Sequence, residues 1–316
     1  MSLLPAQFSS LEAADVLPAR PLHLAIGMFD GAHLGHRAVI AAAVQAARQA
    51  GGVAAVLTFW PHPSALFRPE NPTRMIQDGA MKARVLLTLG VDAVITESFT
   101  PAVAGVSAEE FVPWLKQRLP HLASVYVGEN FRYGRGRRGD VALLIDSGNQ
   151  HGLEVVSAPR VTLQGELISS TRIRGLMEVG EIAKANELFG YTYFAEGVIV
   201  PGKRLGRTMG FPTLNIGWSP DLRPRCGVYA VRVSGAKSAT GLLAVANYGL
   251  RPTVEQSTKP RLEVHVLGPC PFSEGDVIRV DWLRFIRPEI KFSGVDELRG
   301  QIEKDRAGVI ADFSLH

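Results

Sequence analysis

Gly27-Met28-Phe29-Asp30-Gly31-Ala32-His33-Leu34-Gly35-His36 is the stretch that decides the fold of this 316-residue chain. It leaves an apolar run, residues 22–28, that reads as a strand, and enters the Ala-rich segment 37–49, which reads as a helix. The unpaired N–H groups at a helix start attract anions. His33 and His36 are three residues apart, so at a helix start both rings point the same way. Two imidazoles there can donate hydrogen bonds to phosphate oxygens, as adenylyl transfer needs when charge builds on the α-phosphate and pyrophosphate leaves. Zinc would need a third protein ligand, and no Cys or His nearby is spaced to supply it.

Outward from this junction the rhythm repeats. Residues 53–59, 91–96, 125–128 and 153–157 read as strands, and 79–89, 108–119 and 141–151 as helices. The alternation predicts an α/β, Rossmann-like parallel sheet with helices on both faces and ligand loops at the carboxyl ends of its strands. Helical pattern continues over 171–180 and 182–188. After Gly190 the strands 193–200, 227–233, 242–247, 262–267 and 277–285 follow one another across Gly/Pro turns, with no helix until 295–305. That pattern predicts an antiparallel β-barrel closed by a C-terminal helix. The change of rhythm places the domain boundary near 186–190, giving residues 1–187 and 188–316.

Composition narrows the function. Apolar residues are 46% and charged residues 20% of the chain, the balance of a folded globular protein rather than a disordered one. No apolar run reaches the ~18 residues that cross a bilayer, and the first residues lack a signal-peptide pattern. Two cysteines, Cys226 and Cys270, cannot form a disulfide framework, so a cytoplasmic location is expected. The net charge of +4 is small but locally concentrated: Arg132, Arg135, Arg137 and Arg138 in one loop, Lys203, Arg204 and Arg207 in another. Both loops are Gly-rich, which favours small phosphates over a nucleic acid, and no aromatic RNA-binding string accompanies them.

Three further segments carry chemistry. Gly128-Glu129-Asn130-Phe131-Arg132-Tyr133-Gly134-Arg135-Gly136-Arg137-Arg138-Gly139-Asp140 follows a strand. Gly134, Gly136 and Gly139 fit a dinucleotide spacing, but the loop comes late in the sheet and lacks an acidic ribose partner on a following strand. An aromatic-and-Arg loop is better suited to stack a flat ring and hold a phosphate. Ile168-Ser169-Ser170-Thr171-Arg172-Ile173-Arg174 reads as an N-cap, yet its two arginines oppose the helix dipole, which points to an anion there. In the second domain the loop 202–210 leads into Phe211-Pro212-Thr213-Leu214-Asn215. Thr213 and Asn215 face one side of an extended segment and can join a Mg²⁺ held mainly by ATP phosphates. Glu263, between Leu262 and Val264, is placed to take a proton from a substrate hydroxyl.

These residues together resemble the bacterial bifunctional riboflavin kinase/FAD synthetase family over nearly the whole length. The G-x-F-D-G-x-H-x-G-H string lies at 27–36, S-S-T-x-x-R at Ser169, Ser170, Thr171 and Arg174, and G-F-P-T-x-N at 210–215. N-x-G-x-x-P-T lies at 247–253 and E-V-H at 263–265, and Arg287-Pro288-Glu289 and Gln301-Ile302-Glu303-Lys304-Asp305 match the closing loop and helix. The resemblance implies two ATP-dependent reactions: riboflavin to FMN in the barrel, and FMN to FAD with release of pyrophosphate in the N-terminal domain. It implies riboflavin, FMN and ATP as the molecules bound, Mg²⁺ with the ATP, and no nucleic-acid or membrane partner. His33 and His36 would bind ATP phosphates during adenylyl transfer, with Gly27, Phe29, Asp30, Gly31 and Gly35 shaping the site. Ser170, Thr171 and Arg174 would hold the triphosphate, and Asn130 and Arg132 would face FMN or the nucleotide. In the kinase half, Gly206, Arg207, Thr208, Gly210 and Pro212 would bind ATP, Thr213 and Asn215 the metal, and Glu263 would activate the ribityl 5′-hydroxyl. The chain departs from the family at Trp60, where an acidic residue usually precedes P-H-P, and in the two prolines of the turn 267–276.

Overall fold

The computed structural model describes residues 6–202, 210–250 and 260–313. The chain divides into two compact units, Met1–Ser170 and Thr171–His316.

In the first unit the elements run β1 (Ala6–Phe8), β2 (Leu22–Ile26), α1 (Leu34–Gln49), β3 (Val53–Trp60), α2 (Pro63–Phe67), α3 (Gly79–Leu87), β4 (Ala93–Ser98), α4 (Pro101–Gly105), α5 (Phe111–Arg118), β5 (Leu122–Gly128), α6 (Val141–Gln150) and β6 (Glu154–Ala158). A two-stranded hairpin, β7 (Thr162–Leu163) and β8 (Glu166–Leu167), follows. The six main strands form one sheet in the order β1-β4-β3-β2-β5-β6, parallel throughout. Alternation along β2 explains the layers: Leu22, Leu24 and Ile26 join Phe111, Val112 and Leu115 of α5 and Leu144 of α6 in one core. Helix α1 covers the other face with Val39, Ile40, Ala43 and Ala47.

The predicted strand 22–28 ends two residues early, because Phe29 turns the backbone to a positive φ of 46°. The predicted helix 37–49 starts three residues early, at Leu34, with His33 as its N-cap. Pro61 and His62 lead into helix α2, which His62 caps by its ring accepting the Ser64 N–H. Elements this short have too few residues to show a period.

Helix α7 (Ser170–Val179) begins at the last residue of the first unit, and α8 (Ile182–Phe189) follows in the second. The strands are β9 (Phe194–Val200), β10 (Leu214–Gly217), β11 (Gly227–Gly235), β12 (Ser238–Gly249), β13 (Arg261–Val266) and β14 (Val277–Arg287), and α9 (Val295–Phe313) follows. The strands close an antiparallel barrel in the order β10-β13-β12-β11-β14-β9. Its interior is built around Trp282, edge-on to Tyr229 at 4.5 Å and to Tyr248 at 5.7 Å between ring centroids. Helices α7 and α8 dock on this barrel. Arg225 N–H donates to the Met177 carbonyl (3.0 Å), and the Asn186 amide donates to the Trp282 carbonyl (2.8 Å). By compactness alone the chain divides between Ser170 and Thr171.

Helix α9 lies against β12 and is tied to the end of β14 by a buried ion pair. Arg287 donates from Nε and Nη2 to the Asp305 carboxylate (3.1 and 2.8 Å), and Gln301 adds a 2.9 Å bond. Asp305 is 6% exposed and the Arg287 side chain 15%, so removing the carboxylate leaves the Arg287 charge largely buried without its ion-pair partner. Asp305→Ala should cost about 3 kcal/mol, read as a lower denaturant midpoint for the transition monitored in the barrel unit. An unchanged midpoint would show the pair to be dispensable.

Candidate active sites

The first site lies at the carboxyl ends of β2 and β5. From β2 the chain runs outward through β3 to β4, then returns to place β5 on the other flank of β2. That reversal is a topological switch point, where parallel sheets open a crevice for ligands. The loop 27–33 leaves β2 and the loop 129–140 leaves β5, so both border it.

The loop after β2 is wound tightly. Phe29, Gly31 and Ala32 all have positive φ (46°, 81° and 40°), a region that non-glycine residues enter only at a cost of about 1–3 kcal/mol each. The His33 ring accepts the His36 N–H at Nδ1 (3.3 Å), which leaves the proton of the neutral ring on Nε2. The two imidazoles stack at 3.5 Å with planes 17° apart, and Phe29 meets His36 edge-on at 5.3 Å. A Cβ on Gly35 would stand 3.2 Å from His33 Cε1, so glycine lets the ring lie over the first turn. Asp30, 1% exposed, accepts from the N–H groups of Ile76 and Gln77 at 3.1 and 3.3 Å, and its carbonyl accepts from Ser170 Oγ at 3.1 Å. The structure thus joins Ser170 to the loop of His33 and His36 across 140 residues. Gly27 lies under the Phe29 ring, where a Cβ would meet it at 3.0 Å.

In the loop after β5, Asn130 and Arg132 are exposed, and Arg132 pairs with Asp140, the N-cap of α6, at 3.3 Å. Phe131 and Tyr133 stack at 5.7 Å. Gly139 packs beneath Tyr133, where a Cβ would fall 2.5 Å from the ring. Thr171 and Arg174 stand in the first turns of α7, in the second unit.

The second site is a lateral row on the barrel. Asn215 of β10, Glu263 of β13 and Asn247 of β12 are direct cross-strand partners. Leu262 and Val264 point into the core at 0% exposure, so the row faces outward. Asn247 donates to Glu289 Oε1 at 3.4 Å. Gly202 leaves no room for a side chain against Asn215, whose Cγ would lie 2.8 Å from the added Cβ. His265, on the same face as Glu263, bonds the Pro212 carbonyl at 2.8 Å and fixes the segment leading to Thr213. Gly210 has a φ of 84°, which glycine adopts without strain. Gly206, Arg207 and Thr208, like Pro252 and Thr253, lie outside the described residues.

Residues 18–172 match the family model for FAD synthetase, and residues 189–311 match the model for riboflavin kinase. The chain belongs to the bifunctional riboflavin kinase/FMN adenylyltransferase family. It is 37% identical to the family member of Listeria monocytogenes over 298 residues, covering 92% of each chain. It is 36% identical to that of Escherichia coli K12 over 292 residues, covering 92% of this chain and 93% of the relative. It is 34% identical to that of Bacillus subtilis over 296 residues, covering 92% of each chain. A crystal structure described as a macrolide-efflux protein from Streptococcus pneumoniae superposes with a TM-score of 0.85 at 26% identity, over 96% of this chain and 98% of that one. That likeness is one of fold, and among the described residues no helix here is long and apolar enough to cross a membrane.

Several residues beside these candidate sites of this riboflavin kinase/FMN adenylyltransferase family member escape sequence reasoning. Lys82 reads as one more polar residue of a helix, yet it is 0% exposed beneath the His33 loop. His265 stands two residues from Glu263, but its bond to Pro212 spans 53 positions. Glu289 is visible in the closing loop only as part of a string, and its contact with Asn247 is tertiary.

Proposed function

We propose that the two activities of the family are divided between these sites, with residues 1–187 supplying adenylyl transfer and 188–316 the kinase. In the N-terminal site an FMN phosphate oxygen attacks the α-phosphorus of ATP, and the bond from that phosphorus to the pyrophosphate oxygen breaks. His33 presents Nε2–H, His36 stands stacked beside it, and the N-terminal amides of α1 complete a set of donors for the charge that builds on the phosphates. Ser170, whose hydroxyl bonds the Asp30 carbonyl, holds the triphosphate beside this loop. Asn130, Arg132 and the aromatic loop around them receive the flavin nucleotide.

In the barrel the riboflavin 5′-hydroxyl attacks the γ-phosphorus and ADP leaves. Glu263 accepts the hydroxyl proton, and Asn247 and Asn215 flank it in register. Thr213 and Asn215 fit a hard divalent cation: their oxygens are neutral, and Asn215 Oδ1 is buried with no hydrogen-bond partner among the described residues. Mg²⁺ held there with ATP would neutralise charge on the transferring phosphates. Gly210 and Pro212 belong to the ATP-binding segment, together with Gly206, Arg207 and Thr208 by resemblance. Cys226 and Cys270 are free thiols, which suits a reducing cytoplasm.

The observation that carries this reading is the single row Asn215–Glu263–Asn247, which gathers residues of three separate strings onto one face of the barrel. Purified protein given riboflavin, ATP and Mg²⁺ should yield both FMN and FAD by chromatography. Given FMN and ATP, it should yield FAD and pyrophosphate. Formation of neither product would overturn the assignment.

A further inference from the structure

Lys82 is a buried cation that the reaction as described does not use. It lies on α3, whose N-cap Asp78 accepts from the Met81 N–H at 2.7 Å, and it is 0% exposed. Its Nζ donates to the Met28 carbonyl (3.2 Å), to Thr58 Oγ1 (3.0 Å) and to the Phe59 carbonyl (2.9 Å). Thr58 Oγ1 in turn donates to the same Met28 carbonyl at 2.9 Å. An ammonium has three protons, and all three are committed. Lys82 therefore has none to give a phosphate, and it is neither a ligand contact nor an acid.

Its partners are what matter. Met28 and Asp30 bracket Phe29, the first residue of the strained loop. The Met28 carbonyl is held by Lys82, and the Asp30 carboxylate by the Ile76 and Gln77 N–H groups in the segment just before α3. One short stretch of chain thus grips the loop on both sides of its strained residue. Positive-φ residues persist only where the surroundings over-determine them, and this double grip does so. Beyond the grip, Ala32 leads into His33 and the start of α1. A methyl-terminated side chain would fill the same space, so packing alone does not account for the ammonium. Burial pushes the Lys82 ammonium down to about 8, with the Asp30 carboxylate pulling the other way.

We propose that Lys82 is a positioning residue for FMN adenylylation: by fixing Met28 and the ends of β2 and β3, it holds the Phe29–Ala32 turn that aims His33, His36 and the α1 N-terminus. The proposal rests on the assignment of adenylyl transfer to that loop. Misplacing reacting groups by about 1 Å costs about 100-fold. Lys82→Met in the full chain should therefore lower kcat for FMN adenylylation by about 10- to 100-fold, with KM for ATP and FMN within about threefold. Riboflavin phosphorylation, measured in the same preparation, should stay within about twofold. A purely structural lysine would lower the folded fraction and leave kcat per folded molecule unchanged, and that result overturns the proposal. If Lys82→Met does not fold, Thr58→Val decides. It removes the hydroxyl shared by Lys82 and Met28 and should lower adenylylation kcat about three- to tenfold, and a wild-type kcat overturns the proposal. His36→Ala run alongside separates the two ideas. Full FAD synthesis by His36→Ala refutes the site itself, whereas a wild-type rate for Lys82→Met beside an impaired His36→Ala refutes only the positioning role.

Discussion

His36→Ala is expected to turn the protein into a riboflavin kinase that stops at FMN. The His36 ring stands in the first turn of α1, stacked on His33 and edge-on to Phe29, where the helix N-terminus and the switch point of the sheet coincide. Charge moves onto the phosphates in the transition state, and loss of one preorganised donor at such a point costs about 10²–10³ in rate. His36 is the cleaner of the two histidines to remove. His33 is also the N-cap, and its loss would add about 1 kcal/mol of helix destabilisation to any catalytic effect. The product mixture makes the result unambiguous. With riboflavin and ATP the variant should form FMN at the wild-type rate and accumulate it, because the residues assigned to the kinase lie on the barrel. FAD formation should fall by about 10²–10³ with FMN supplied directly. FAD made at the wild-type rate would place the chemistry elsewhere.

The sheet and the barrel were both legible in the sequence, because period and punctuation carry them. Apolar runs alternating with helical stretches give a parallel sheet, and close-spaced strands with Gly/Pro turns give a barrel. Elements too short to show a period were not legible: β1 has three residues, β10 four, and α2 five. The docking of α7 and α8 on the barrel was also hidden. Its determinants, such as Asn186 bonding the Trp282 carbonyl across 96 positions, leave no local trace. The sites divide the same way. His33 and His36 stand out as candidates because three residues make about one helical turn, and Thr213 and Asn215 because two make one pleat. Lys82 was missed because a lysine in a helix reads as solvated, and only tertiary packing shows three acceptors closing on it. Glu263 shows both sides. Its outward direction follows from Leu262 and Val264, but its register with Asn215 and Asn247 is a property of three strands.

That register makes Glu263→Gln the sharpest test of the barrel site. The amide keeps the length and shape of the side chain, so the row Asn215–Gln–Asn247 and its packing should survive. It cannot accept a proton as the carboxylate does. Loss of a positioned general base costs about 10²–10⁴ in rate, and riboflavin phosphorylation should fall by that factor with a folded barrel. Adenylylation of supplied FMN should be unaffected, so the variant would make FAD from FMN and almost none from riboflavin. This is the mirror image of His36→Ala, and mixing the two variants should restore riboflavin-to-FAD conversion through free FMN. Adding Asn247→Ala discriminates further. If Glu263 acts as the base and Asn247 only fixes the neighbourhood, then Asn247→Ala should slow the kinase by less than Glu263→Gln does. The two changes should also be non-additive, as expected for residues in contact. A Glu263→Gln protein that phosphorylates riboflavin at the wild-type rate would show that the hydroxyl gives up its proton without this carboxylate.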